Sequence, residues 1–295
     1  MVSSYQSIVS FLFLHFLGTC SATKFTLVNQ CTYTVWPATL SGAGTPPLPP
    51  SASSFTLLPR ASTVIPVPAS WSGRIWAQTG CSTGPAGNFS CETGTTPPAT
   101  LAEFTLNGAN GLDFYDVSLV DGYNLPLVVR PVGGSGNCSA AGCPEDLNGA
   151  CPTPLRVATS AFKTGTEGGG RGIACNSACN AFGNPEYCCS GAYATPDTCK
   201  PSNYSEYFKV NCPSAYSYAY DDASSTFTCA GADYVVTFCP SVSLTAKAIG
   251  TQPPQTSTSP SSYGDFNYNG GSALITSSTM IGMLITVVWT SLSLI

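Results

Sequence analysis

The distribution of cysteine constrains this 295-residue chain more than any other feature. Fourteen of its fifteen cysteines lie between Cys31 and Cys239, and the remaining one, Cys20, lies in an N-terminal hydrophobic segment. Removal of that segment leaves an even number, which in an oxidising compartment predicts seven disulfides. The sequence therefore predicts a secreted, heavily cross-linked body from Thr23 to Pro240. That length is enough for one domain with a real core.

Both ends of the chain resemble processing signals. Residues 11–17 form an apolar run interrupted only by His15, and the small residues Cys20 and Ala22 precede an expected cleavage site, so residues 1–22 are predicted to be a secretory signal peptide. Residues 241–268 are rich in Ser, Thr and Pro and predict a flexible, O-glycosylated stalk.

The last segment, residues 269–295, combines small residues, a polar spacer and an apolar tail. This order is typical of a glycosylphosphatidylinositol (GPI) attachment signal. The tail is shorter than the roughly 20 apolar residues of a membrane-spanning helix, which disfavours a retained transmembrane tail. Asn269 is the first choice for the attachment residue and Gly270 the second.

Composition excludes several classes of function. The single histidine, His15, lies in the predicted signal peptide, which excludes Ser-His-Asp and Cys-His catalysis and histidine metal sites. Charged residues make up only 8% of the chain, with a net charge of −5, so no basic stripe for nucleic acid exists. Carboxylates and hydroxyls remain for chemistry, and a neutral polysaccharide remains a compatible partner. We expect a monomer without metal or organic cofactor.

Short alternating runs rich in Val, Phe, Tyr and Thr, separated by Gly, Pro and Ser clusters, predict an all-β sandwich or barrel. The predicted strands are Lys24–Asn29, Thr32–Trp36, Thr63–Val67, Gly73–Gln78, Thr100–Leu106, Asp113–Leu119, Leu127–Arg130, Ser225–Cys229 and Asp233–Phe238.

The interval 143–212 differs because it holds eight cysteines and two short helical patterns. One pattern spans Ile173–Phe182, and Asn203 followed by Glu206 predicts the capped start of the other. We expect a disulfide-rich lobe there. The expected domain comprises a β core (residues 23–78, 99–142 and 213–240), a small loop lobe (79–98) and the disulfide-rich lobe (143–212).

Three N-glycosylation sequons begin at Asn88, Asn137 and Asn203. Asn137 is the doubtful one, because the middle residue of its sequon, Cys138, is expected in a disulfide.

Side-chain alternation places two carboxylates on one side of a predicted hairpin. Glu103 in Thr100–Leu106 and Asp116 in Asp113–Leu119 both face away from the apolar side of their strands, and Asp121 follows at the end. These charges fit either ordinary solvated strand positions or a carboxylate cleft. A carboxyl pair is the device that glycoside hydrolysis normally needs.

Three tyrosines, Tyr216, Tyr218 and Tyr220, fit either a sugar-stacking platform or packing into the core.

Several motifs together carry a family resemblance. In chain order they are NQCTYTVWP (29–37), GRIW (73–76), LAEFTL (101–106), DFYDVS (113–118), VDGYN (120–124), EYCC (186–189), YSY with DD (216–222) and VTFCP (236–240). With the order of the cysteines, they resemble the thaumatin-like proteins of plants over residues 23–240. The resemblance implies a flattened β-sandwich with a disulfide-rich lobe carrying short helices.

The resemblance also implies which cysteines pair with each other, which the number and spacing of the cysteines do not determine. The implied pairs are Cys31–Cys239, Cys81–Cys91, Cys138–Cys229, Cys143–Cys212, Cys151–Cys175, Cys179–Cys188 and Cys189–Cys199. Large family members have eight bridges. Two of their cysteines are missing after Gly94, which predicts a truncated small loop lobe.

Family members are similar in having a cleft between the β core and the disulfide-rich lobe. The matching residues here are Arg74, Glu103, Asp116, Asp121 and Asp221, with Asp222 as an adjacent alternative to the last. The family is linked to pathogen defence, antifungal action, β-1,3-glucan binding and, in some members, weak endo-β-1,3-glucanase activity.

The resemblance therefore implies a defence protein that binds β-1,3-glucan or a related wall polysaccharide, in the cell wall or GPI-anchored at the outer face of the plasma membrane. One alternative is an endo-β-1,3-glucanase with Glu103 as proton donor and Asp121, or Asp116, as base or nucleophile. Another is a structural or signalling protein of the wall surface that binds an endogenous ligand.

Overall fold

The computed structural model describes residues 22–158 and 172–241. The predicted signal peptide, nearly all of the stalk and the attachment signal with Asn269 and Gly270 lie outside the described residues. The strands are β1 Thr23–Asn29, β2 Trp36–Ser41, β3 Ser62–Val67, β4 Ser72–Gln78, β5 Ser82–Thr83, β6 Phe89–Ser90, β7 Leu101–Thr105, β8 Asp113–Ser118, β9 Leu127–Ser135, β10 Ala141–Cys143, β11 Arg156–Val157, β12 Ala174–Cys175 and β13 Phe227–Phe238. The α-helices are α1 Pro50–Ser53, α2 Ala178–Phe182, α3 Pro185–Cys188, α4 Asn203–Asn211 and α5 Asp222–Ser225.

One nine-stranded sheet forms the body, and the long strand β13 joins its two halves. The first part of β13 pairs with β8, in the order β8-β7-β4-β2, and the second part pairs with β1 and β9. Gly231, with φ of 65°, lies just beyond Cys229, where the pairing with β8 ends. A left-handed backbone conformation is open to glycine without a steric penalty, so the strand can bend at this residue.

The two halves of the sheet pack face to face. Phe25 of β1 meets Phe104 of β7 with ring centroids 4.6 Å apart, and Tyr234 of β13 lies 5.3 Å from Phe104. All three side chains are buried. Their contacts close one continuous core between two layers of the same curled sheet, which confirms the flattened all-β sandwich.

Apart from β9, which continues to Ser135 beyond its expected end at Arg130, the strand predictions differ from the structure in two places. The strand expected at Thr32–Trp36 is displaced to Trp36–Ser41, because the side chain of Asn29 holds a turn. Its Oδ1 accepts from the Cys31 amide at 2.8 Å, and its Nδ2 donates to the Tyr33 carbonyl at 3.0 Å. Such local side-chain bonds compete with strand pairing.

The other difference lies near the C-terminal end of the domain. Two separate strands were expected at Ser225–Cys229 and Asp233–Phe238, but these residues belong almost entirely to the one strand β13. Gly231 lies between the two expected strands, and the strand continues through it although its φ is 65°.

Seven disulfides join the fourteen described cysteines, and every pair is one that the resemblance implies. Four of them, Cys143–Cys212, Cys151–Cys175, Cys179–Cys188 and Cys189–Cys199, hold the segment that carries α2, α3 and α4. The bridge Cys81–Cys91 closes the short β5–β6 hairpin.

Both helices predicted for the disulfide-rich lobe are present, but each begins at a different residue from the one that the sequence pattern predicts. The first starts at Ala178 rather than Ile173, because Ala174–Cys175 pair with β11 instead. In α4 the cap is Ser202, whose Oγ accepts from the Ser205 amide, in a capping box that replaces the expected one. Within the described ranges no helix is long and apolar enough to cross a membrane.

Candidate functional site

Three adjacent strands place three charged side chains in one line. In the register of the sheet, Arg74 of β4 is the partner of Glu103 of β7, and Glu103 is the partner of Asp116 of β8. Directly paired residues of antiparallel strands project to the same face with Cβ atoms about 5 Å apart. The buried side chains of Ala102 and Tyr115 alternate with these residues and face the core, so the charged line lies on the outer face of its layer.

Asp121 joins this line from the turn that follows β8. Its Oδ2 lies 3.7 Å from Nη1 of Arg74. The next residue, Gly122, has φ of 86°, and a Cβ there would lie 2.5 Å from Pro98 and 2.7 Å from the Cys175 carbonyl. Only glycine fits both the backbone conformation and the space. We call Arg74, Glu103, Asp116 and Asp121 the acidic site.

The disulfide-rich lobe contacts the acidic site through the Asp121 backbone. The side-chain amide of Asn180, in α2, donates to the Asp121 carbonyl at 2.9 Å. This bond connects the β8 turn to a helix whose position depends on the Cys179–Cys188 bridge.

Burial raises the pKa values of the three carboxyls, and repulsion by other carboxylates adds to the rise for Glu103 and Asp116. Burial is the largest cause for Glu103, partly offset by Arg74 and reinforced by the charge of Asp121. Burial also raises the pKa of Asp121, against the effect of Arg74. The pKa of Asp116 lies well above its usual range, because of burial and then the charges of Glu103 and Asp222. A neighbouring carboxyl pair of this kind retains protons that an exposed pair would release.

One oxygen of the acidic site has no protein partner. Oδ1 of Asp116 is buried, and no group of the described residues forms a hydrogen bond with it. A buried polar atom without a partner costs free energy and is a marker of functional sites. A ligand hydroxyl is the kind of group that satisfies such an atom.

Asp221 and Asp222 take separate positions. Asp221, the expected fifth member of the site, is held elsewhere: its Oδ2 lies 2.6 Å from Nζ of Lys209 and accepts from the Ser217 hydroxyl at 3.0 Å. Asp222 accepts a hydrogen bond from the Tyr216 hydroxyl at 2.8 Å, and its charge raises the pKa of Asp116. Of these two aspartates, Asp222 is therefore the one whose charge affects the pKa of a carboxyl in the acidic site.

Sequence reasoning missed Lys209 and Asn180. Lys209 donates to the Ala215 carbonyl at 2.8 Å as well as pairing with Asp221, and it links α4 to the segment 213–225. Neither residue belongs to a motif with a charge or spacing pattern, so the sequence contained no signal for their roles.

The three tyrosines singled out in the sequence are not core residues. Tyr216, Tyr218 and Tyr220 are all half-buried and lie outside the helices and strands, and Tyr216 forms an isolated β-bridge with Ser118. The backbone of Tyr216 bonds to the end of β8 through Val117 and Leu119, which places this segment beside the acidic site.

The sequon asparagines Asn88, Asn137 and Asn203 are all exposed. In the doubtful sequon, Cys138 is bonded to Cys229 and the Ser139 hydroxyl donates to the Asn137 side chain at 2.9 Å. Within residues 22–158 and 172–241, no cluster of three or more His, Cys, Asp or Glu side chains is arranged to hold a metal ion.

Comparison with known proteins agrees with this architecture. The model of the thaumatin family matches residues 29–240. The chain is 52% identical to thaumatin-like protein 1 of Arabidopsis thaliana over 264 residues, which cover 82% of this chain and 96% of the relative. It is 52% identical to pathogenesis-related thaumatin-like protein 3.5 of Cryptomeria japonica, over 76% of this chain and 93% of the relative. A protein of Prunus avium named glucan endo-1,3-beta-glucosidase is 47% identical, over 79% of this chain and 96% of the relative. This chain therefore belongs to the thaumatin family.

Proposed function

We propose that this protein is a secreted defence protein that binds β-1,3-glucan, or a related wall polysaccharide, in a cleft floored by the acidic site. The observation that carries the proposal is the continuous line of Arg74, Glu103 and Asp116 on one face of the sheet. Carboxyls accept from sugar hydroxyls and, when protonated, also donate to them, while the guanidinium donates through a fixed fork.

The electrostatics of the site favour a neutral ligand. The raised pKa values of Glu103 and Asp116 keep negative charge low, and Arg74 balances part of what remains. A neutral polysaccharide brings no charge that must be desolvated, whereas an anionic ligand would meet three carboxyls.

Co-sedimentation of the purified protein with insoluble β-1,3-glucan tests the proposal. We expect wild type and the exposed control Glu206→Gln to pellet with glucan and not with chitin, and Asp116→Asn to remain in the supernatant. Equal pelleting of wild type with both polymers, or with neither, would contradict specific glucan binding.

A second candidate function is endo-β-1,3-glucan hydrolysis. The pKa of Glu103 is raised by burial, so this carboxyl can hold a proton for the glycosidic oxygen. Asp121, or Asp116, would serve as the base or nucleophile. The relative named glucan endo-1,3-beta-glucosidase supports this possibility.

The Glu103→Gln variant separates hydrolysis from binding, because glutamine preserves the shape but donates no acidic proton. If the protein is a glucanase, wild type releases new reducing ends from soluble β-1,3-glucan and the variant releases about 100-fold fewer. Glucan that is bound but not cut by wild type would leave binding as the function.

The proposed location is the cell wall or the outer face of the plasma membrane. It rests on the predicted signal peptide at residues 1–22 and the predicted attachment signal at residues 269–295. Treatment of intact cells with a phosphatidylinositol-specific phospholipase C is expected to release the protein.

Asn88 and Asn203, both exposed, are the proposed glycan sites.

A further inference from the structure

The two proposed glycan sites, Asn88 and Asn203, differ in the structure around the serine of their sequons. N-glycosylation needs a Ser or Thr two residues after the asparagine, so the transferase must reach the serine hydroxyl as well as the asparagine side chain. Both asparagines are exposed in the folded protein. The surroundings of the serine therefore decide whether the folded protein can still be modified.

In the Asn203 sequon, the hydroxyl of the serine is taken up by the fold. Ser205 is only 7% exposed. Its Oγ accepts a hydrogen bond from the Ser202 amide at 2.8 Å and donates one to the Ser202 carbonyl at 2.9 Å. The Ser202 Oγ in turn accepts from the Ser205 amide at 3.2 Å, which completes the capping box. The hydroxyl that the transferase needs is therefore buried and already has both a donor and an acceptor.

The backbone of this sequon is fixed as well. Residues 203–205 form the first turn of α4, and Phe208 of the same helix is buried in the core. Disulfides hold the chain on both sides of the helix, through the bridge Cys189–Cys199 before it and the bridge Cys143–Cys212 directly after it. Exposure of the Ser205 hydroxyl therefore requires at least the first turn of α4 to unfold.

The Asn88 sequon has no such restraint. Ser90 is exposed in the short strand β6, and none of the residues that the structure describes forms a hydrogen bond with its hydroxyl. Strand β6 pairs with β5 in a separate two-stranded sheet. Both groups that the transferase needs at this site therefore remain accessible after folding.

We propose that glycosylation of Asn203 competes with the folding of α4, so that the speed at which this lobe closes sets the fraction of molecules that carry the glycan. In the transfer, the side-chain nitrogen of Asn203 bonds to the anomeric carbon of an oligosaccharide carried on a lipid pyrophosphate. The bond from that carbon to the pyrophosphate breaks, and the nitrogen loses one proton. The inference rests on the proposed glycan sites, and Asn88 in the same molecule is its reference.

Isotope pulse-labelling of the full chain in a eukaryotic secretory host tests the competition. Mass spectrometry gives the ratio of modified to unmodified asparagine at both sites, with and without dithiothreitol, which delays disulfide formation. Because the unfolded lobe then persists for longer, we expect the ratio at Asn203 to rise about threefold or more and the ratio at Asn88 to stay unchanged.

The possible results separate the competition from the glycan site on which it rests. An unchanged ratio at Asn203, an equal rise at both sites, or complete modification of Asn203 without dithiothreitol would overturn the competition. Absence of a glycan from Asn203 even with dithiothreitol would instead overturn the proposed glycan site.

A variant of the capping box gives a second test without a reductant. Ser202→Ala leaves the sequon and the disulfides intact but removes the helix cap, which shifts the balance between open and formed helix about fivefold towards the open form. We expect the ratio at Asn203 to rise about threefold in this variant. The matched control Ser190→Ala changes an exposed serine of the same lobe that makes no side-chain cap, and it is expected to match wild type. A rise in both variants, or in neither, would overturn the role of α4.

Discussion

Asp116 is the single residue whose environment departs most from that of an ordinary strand aspartate. It has a buried oxygen without a partner, lies directly opposite Glu103, and is affected by the charge of Asp222. These features oppose ionisation, so the folded protein holds a proton on Asp116 that the unfolded chain releases at lower pH. A carboxyl with a raised pKa makes the folded protein less stable at pH values above that pKa than a carboxyl with the ordinary pKa would.

We expect Asp116→Asn to flatten the dependence of stability on pH. In wild type the raised pKa means that the free energy of unfolding falls as pH rises from about 3.8 through the folded-state pKa. Asparagine stays neutral, so the variant is expected to be the more stable protein at pH 8 and to show a smaller fall from pH 4.

Denaturant unfolding at pH 4 and pH 8 measures this effect, with the exposed Asp197→Asn as control. If the free energy of unfolding falls by the same amount between pH 4 and pH 8 in wild type and Asp116→Asn, the pKa of Asp116 is not raised by folding.

Among the secondary-structure elements, α4 positions the segment 213–225, and no pattern in its sequence predicts this role. Its capping box at Ser202 and Ser205 fixes where the helix begins. Lys209, near its end, then pairs with Asp221 and bonds the Ala215 carbonyl. The helix thereby positions the segment 213–225, which brings Asp222 towards the acidic site.

Replacement of Lys209 by methionine is expected to destabilise the protein by about 2 kcal/mol, because Asp221 loses its cation and the Ala215 carbonyl keeps only the Ser225 hydroxyl as a donor. Lys200→Met is the matched control, since Lys200 is exposed, and is expected to change stability by less than about 0.5 kcal/mol. Thermal unfolding measures both.

The same variant tests whether α4 positions the site. Lys209→Met is expected to bind β-1,3-glucan more weakly than wild type at a temperature where both proteins are folded. A stable variant with unchanged glucan binding would show that Asp222 is positioned without Lys209.

In the molecule as a whole, the disulfides cross-link segments that the sheet also pairs, and they differ in the length of chain that they close. Cys31–Cys239 joins residues 208 positions apart, at the two ends of the described body, whereas Cys81–Cys91 closes a hairpin of separation 10. A cross-link stabilises mainly by restricting the unfolded chain, and the effect grows with the logarithm of loop length.

We therefore expect the double variant Cys31→Ser/Cys239→Ser to lose about 5 kcal/mol of stability and Cys81→Ser/Cys91→Ser about 3 kcal/mol. Denaturant midpoints of the two double variants and wild type give the comparison. Equal losses, or a larger loss at the hairpin, would mean that native packing around each bridge outweighs chain entropy.

Much of this protein could be predicted from short-range patterns. Alternation along two strands put Glu103 and Asp116 on the outer side of their strands, and the register of β7 and β8 indeed pairs them. The all-β architecture followed from the same period of two. Both are properties of a few consecutive residues, because successive side chains of any strand point to opposite faces.

The remaining features depend on contacts between distant segments. Asn29 bonds the Leu57 carbonyl and its own turn, which displaced the strand expected at Thr32–Trp36. Asp221 and Asp222 are adjacent and chemically identical, yet Lys209 holds one and Tyr216 the other. No local pattern distinguishes them, because the energy of an ion pair depends on which partner the folded chain brings within a few ångströms.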